Sequence, residues 1–189
     1  MRTFVRPMAV FSIVVLCLAG IAAGDDVLHH DLTITVDPGS HRIDVVDLIE
    51  PVGRVARDAE GAYRFVLHAG LAPEVVTPQW RLEPVEGEVT ADFFGINATT
   101  ATVEDTVPLE GWRLVPEDGA RTPVELSYGG QIDHSLEQQG EEYQRSFSET
   151  PGFIGPEGLF LAGTSFWVPT FGDGLMTFDL EVHDLDKGW

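Results

Sequence analysis

His30-Asp31-Leu32-Thr33-Ile34-Thr35-Val36, then Asp37-Pro38-Gly39-Ser40, then Arg42-Ile43-Asp44-Val45-Val46-Asp47-Leu48-Ile49 is the stretch that decides the fold class. Apolar residues recur at every second position, so Leu32, Ile34 and Val36 share one face of an extended chain. The Asp-Pro-Gly-Ser segment between the two runs supplies turn residues, and the whole predicts a β-hairpin.

The same reading extends outward. Tyr63 to Leu67 follows a Glu60-Gly61 turn and places Tyr63, Phe65 and Leu67 on one face. Further strands are expected at Val75 to Leu82, Glu88 to Phe94, Ala101 to Val107, Gly111 to Val115, Val124 to Tyr128, Leu159 to Ala162, Ser165 to Val168 and Leu175 to Val182. Short strands at this spacing, punctuated by Gly and Pro, predict an all-β domain, a β-sandwich or a pair of curved antiparallel sheets. Only the polar stretch His134 to Gln144 reads as a helical turn or long loop. No repeat, linker or second boundary interrupts the pattern, so residues 25–189 read as a single domain.

Composition narrows the function classes. Of 189 residues, 31 are acidic and 11 basic, a formal charge of −20, and Lys187 is the only lysine. Phosphate backbones need clustered Lys and Arg, so nucleic acid is excluded as a partner, and an anionic membrane surface is disfavoured. With 43% apolar residues the chain is too hydrophobic for a disordered acidic tail.

Arg2 and Arg6 precede an apolar run from Met8 to Ala23 that ends in Ala22, Ala23 and Gly24 before Asp25-Asp26. This is the layout of a secretory signal peptide over residues 1–24, too short for a stable membrane anchor. Export to the periplasm or the exterior is expected. Cys17, the only cysteine, leaves with the signal, so disulfides, thiolate metal sites and thiol catalysis are excluded from the mature chain.

Chemistry is sparse along the rest. The histidines at 29, 30, 41, 68, 134 and 183 form no His-Glu-x-x-His and no His-x-His, and consecutive His29-His30 on a strand point to opposite faces. Ser146, Ser148 and Ser165 lie in no Gly-x-Ser-x-Gly elbow. Glu141-Glu142 reads as a solvated acidic face. Asp184 to Gly188 opens like a calcium loop but lacks its third oxygen ligand. Asn97-Ala98-Thr99 is a glycosylation sequon, meaningful only in a eukaryote. Trp80, Trp112 and Trp167 are candidates for core packing or, if exposed, for carbohydrate stacking. No catalytic, cofactor-binding or metal-binding residue is assigned.

The order of segments is more specific than any one of them. His29 to Pro38, Ser40-His41-Arg42-Ile43 and Phe65-Val66-Leu67-His68-Ala69-Gly70-Leu71 resemble the start of the N-terminal domain of aminopeptidase N-like zinc metallopeptidases, peptidase family M1, the gluzincins. Val124 to Ile132 resembles that domain's strand ending in Tyr-x-Gly. Tyr143 to Gly152, Gly158 to Leu161 and Phe166-Trp167-Val168-Pro169 resemble a divergent exported bacterial branch.

The resemblance implies a saddle-shaped β-sandwich that packs on a downstream thermolysin-like catalytic domain and shapes its cleft. It implies that zinc, the catalytic glutamate and the Gly-x-Met-x-Asn motif belong to that missing domain. The chain alone is then expected to be inactive and to hold no cofactor, meeting peptide substrate only through the full enzyme. The family's amine-anchoring Glu or Gln corresponds to Gly163-Thr164-Ser165, which supplies neither type, and the Pro-x-x-Asp feature is altered to Pro169-Thr170-Phe171-Gly172-Asp173. Trp189 is expected to pack against something that follows, and an apolar patch around the C-terminal strand would mark such an interface. The alternative is a free-standing exported β-sandwich module that binds carbohydrate or protein.

Overall fold

The Asp37–Ser40 turn folds as its residues require. The Asp37 carboxylate accepts hydrogen bonds from the Gly39 amide (3.0 Å) and the Ser40 hydroxyl (2.6 Å), closing the turn between β1 (Leu28–Asp37) and β2 (Arg42–Glu50). The two strands pair antiparallel from His29↔Glu50 to Asp37↔Arg42. This is a computed structural model, and it describes residues 27–50, 55–87, 89, 107–117, 120, 123–134, 137–139, 147–150, 152–172 and 174–183. The signal segment 1–24, the sequon, Ser146, Glu141-Glu142, Asp184 to Gly188 and Trp189 lie outside them, as do the expected strand at 101–107 but for Val107 and nearly all of that at 88–94.

The remaining strands are β3 (Tyr63–His68), β4 (Glu74–Val75), β5 (Trp80–Pro84), β6 (Leu109–Pro116), β7 (Val124–Gln131), β8 (Glu137–Gln139), β9 (Phe147–Glu149), β10 (Gly152–Gly155), β11 (Gly158–Leu161) and β12 (Met176–His183). They form a five-stranded sheet in the order β12-β1-β2-β7-β4, a three-stranded sheet β3-β6-β5, and the hairpins β8-β9 and β10-β11. The fold is all-β, a sandwich with one hydrophobic core between its sheets.

Alternation builds that core. Leu32, Ile34 and Val36 of β1, Ile43, Val45 and Ile49 of β2, and Val124, Leu126 and Tyr128 of β7 turn inward. They meet Tyr63, Phe65 and Leu67 of β3, Trp80 of β5 and Leu114 of β6 in a single buried cluster. The outer edge of β3 is paired too, because Val66 exchanges backbone hydrogen bonds with Thr170, 3.0 Å each way.

Four expectations are corrected. Val75 to Leu82 is two strands, β4 and β5, separated by a turn in which Gln79 takes φ 77°. Ser165 to Val168 is no strand: Gly163–Ser165 is a 3-10 turn closed by Phe166 in the left-handed region. The stretch from His134 contains β8, which pairs with β9 rather than forming a helical turn. Finally, β12 runs parallel to β1, so the sheets are not wholly antiparallel.

Candidate functional site

Three features stand out from the packed scaffold: an exposed apolar strand face, a buried polar pair and a part-buried pair of histidines. The first lies on β12. Its register with β1 sets Met176 beside Leu28, Phe178 beside His30, Leu180 beside Leu32 and Val182 beside Ile34. The β1 residues are buried, whereas Phe178 is 56%, Leu180 46% and Val182 38% exposed. The inward apolar row of the sheet therefore continues onto its edge strand and emerges from the core there. Leu175, just before β12, is 85% exposed. Exposed apolar rows of this kind mark surfaces that pack against something else.

The second feature sits beneath that row. Asp47 occupies an inward position of β2 between Val45 and Ile49 and is fully buried, as is His30. His30 Nδ1 lies 3.0 and 2.9 Å from the two Asp47 carboxylate oxygens. A ring nitrogen facing an ionised carboxylate must donate, so Nδ1 carries a proton. The Tyr128 hydroxyl approaches the same carboxylate at 3.5 Å. Burial pushes the Asp47 carboxyl above its usual range, against the His30 hydrogen bond, and burial together with Asp47 pushes Tyr128 well up. His30 Nε2 is buried with no hydrogen-bond partner among the described residues, and the ring of Phe171 lies 6.5 Å away.

The third joins the two sheets at their rim. His68 ends β3, and its backbone amide donates to Phe166 O at 2.8 Å; His134 follows β7, and its amide donates to Gly152 O at 3.0 Å. The two Nε2 atoms are 2.9 Å apart, with the rings edge-on at 72° and centroids 5.1 Å apart. His68 Nδ1 is 2.7 Å from Ala69 O. A carbonyl only accepts, so His68 Nδ1 carries the proton, its Nε2 offers a lone pair, and His134 Nε2 is the donor between them. Burial is the main cause that holds the His68 pKa below its ordinary value; His134 adds to it and the Ala69 carbonyl opposes it.

The residues singled out from sequence are scattered. His29 and His30 do point to opposite faces: His29 stays near the surface with Nδ1 2.9 Å from the Thr177 hydroxyl. Ser165 is buried and its hydroxyl donates to Ala162 O at 2.8 Å, so it is committed to its own turn. Trp80 is buried, and Trp112 and Trp167 are half-buried against the core, so these three form no exposed aromatic row.

Asp47 was not among the sequence candidates. The signal was present, since the alternation that buries Ile43, Val45 and Ile49 also turns Asp47 inward. The clasp of His68 and His134 had no such signal, because 66 positions separate them.

Comparison of the chain with protein-family models, with curated proteins and with solved structures returns no match.

Proposed function

We propose that this chain is the noncatalytic N-terminal domain of an exported M1-type zinc aminopeptidase, docked through the apolar face of β12 on a downstream catalytic domain. The order of segments from His29 to Pro169 supports the family. The single observation that carries the docking role is the row Phe178, Leu180, Val182, which continues a buried core face into solvent. An apolar row of this length costs free energy in water, roughly 25 cal/mol for each Å² left uncovered. β12 ends at His183, next to Val182 of that row.

In this role the sandwich is a rigid wall. It restricts access to the cleft in which the catalytic domain removes residues from peptide N-termini, and it contributes no reacting group of its own. Zinc belongs to the catalytic domain. A carbohydrate platform has less support, because the described tryptophans are buried or half-buried.

The test is to capture the native protein from source cells and medium with an antibody to this domain and to assay release of a chromogenic amino-acid amide. Activity that a chelator abolishes and zinc restores supports the reading. Captured protein without such activity, at amounts where an aminopeptidase control is readily detected, overturns it.

A further inference from the structure

The His68–His134 clasp has the makings of a metal site that the proposed peptidase role does not use. Imidazole nitrogens suit zinc, copper and nickel. A histidine that ligates through Nε2 is usually held by a hydrogen bond from Nδ1–H to a carbonyl or carboxylate, which fixes both tautomer and ring direction. His68 has that arrangement, with Nδ1 2.7 Å from Ala69 O.

The spacing is close to what an ion demands. Two nitrogens each ~2.0–2.1 Å from a tetrahedral ion stand ~3.3 Å apart, against 2.9 Å between the two Nε2 atoms. The rings therefore need to part by a few tenths of an ångström and to turn so that both Nε2 lone pairs converge on the ion. Their backbones are already tied in place, His68 to Phe166 O and His134 to Gly152 O, so little ordering is left to be done on binding. The acidic chain as a whole draws cations toward it.

We propose that His68 and His134 together bind one divalent transition-metal ion through their Nε2 atoms. Among the described residues no third His, Cys, Asp or Glu completes a cluster, so water supplies the remaining ligands. Binding exchanges the imidazole–imidazole hydrogen bond for two metal–nitrogen bonds. The His134 proton moves from Nε2 to Nδ1, and no net proton is released from a neutral pair. The ion then fastens the end of β3 to the segment after β7.

The probe is Zn²⁺, titrated into the purified full chain with its histidines labelled with ¹⁵N. The expected result is one equivalent bound, both Nε2 resonances shifted, and His134 converted from the Nε2–H to the Nδ1–H tautomer. By calorimetry, affinity falls at least about tenfold in His134→Gln and is unchanged in His29→Gln. His134 is only half-buried, and a thermal melt checks that its variant folds. If the variant does not fold, the tautomer readout on the unsubstituted chain decides. His134 resonances unmoved at saturating Zn²⁺, or a folded His134→Gln that titrates like the parent, overturns the proposal.

Discussion

At the scale of single residues, Asp47 carries a large stake in stability. It is a fully buried carboxylate whose position is tolerable because His30 donates to both of its oxygens. Removing one partner strands the other in the core, so Asp47→Ala is expected to cost about 3 kcal/mol in denaturant unfolding. The double change His30→Leu with Asp47→Leu is expected to recover most of that loss, since well-packed apolar residues replace a buried pair at little cost. A double variant no more stable than Asp47→Ala would contradict this account. The inward positions of His30 and Asp47 are legible in the alternation of their strands. Their meeting is not, because it depends on the register that sets Leu32 opposite Asp47 and leaves His30 one pleat away.

His68 makes a pH prediction. Its folded pKa is depressed below 6.5, so the folded chain favours the neutral ring. Its contribution to stability is then full above the unfolded value of 6.5 and is lost as the pH falls through the lower folded value. The melting temperature of the parent should therefore drop more steeply than that of His68→Gln as the pH is lowered from neutral into this window. Parallel profiles would show that His68 does not titrate differently in the two states.

At the scale of elements, two close approaches fix how strands and loops meet. Gly130, on the inward side of β7, lies under the loop that follows β3, and a Cβ there would run into the Gly70 carbonyl oxygen. The neighbouring Gly129 amide donates to Leu71 O at 2.7 Å. Backbone cannot yield as a side-chain tip does, so Gly130→Ala is expected to cost roughly 1–3 kcal/mol by the same unfolding measurement. The strands with clean alternation, β1, β2 and β7, are the ones whose sequence announces them most plainly. The departures have local causes: Gln79 at φ 77° breaks the run from Val75, and Phe166 at φ 53° ends the turn where a strand was expected. The short strands β8 and β9 lack length enough to show a period.

β12 belongs at this scale as well. Its period-two pattern predicts a strand, but its parallel pairing with β1 at the sheet edge is a matter of topology, which alternation does not carry. Because Phe178 and Leu180 are exposed, replacing both by Ser is expected to leave the melting temperature within about 0.5 kcal/mol equivalent of the parent. The uncovered row is expected to drive concentration-dependent self-association of the isolated chain in light scattering, and the same change should abolish it. A large loss of stability would mean that these side chains are already covered within the chain.

At the scale of the whole molecule, a closed hydrophobic core adjoins an apolar row on β12 that the core does not cover. Among the described residues Ser165 is locked into a structural hydrogen bond, His30 and Asp47 are buried as a pair, and His68 and His134 form a part-buried one. That division fits a domain that works by packing and positioning. The all-β class follows from the sequence alternation, whereas the exposed apolar row needed the register of β12 to become visible. The most direct measurement is the size of the native polypeptide, read on a blot of source cells and medium with an antibody to this domain. The predicted result is a band several-fold heavier than 20.7 kDa; a band at that mass, or lighter by the signal segment alone, would contradict it.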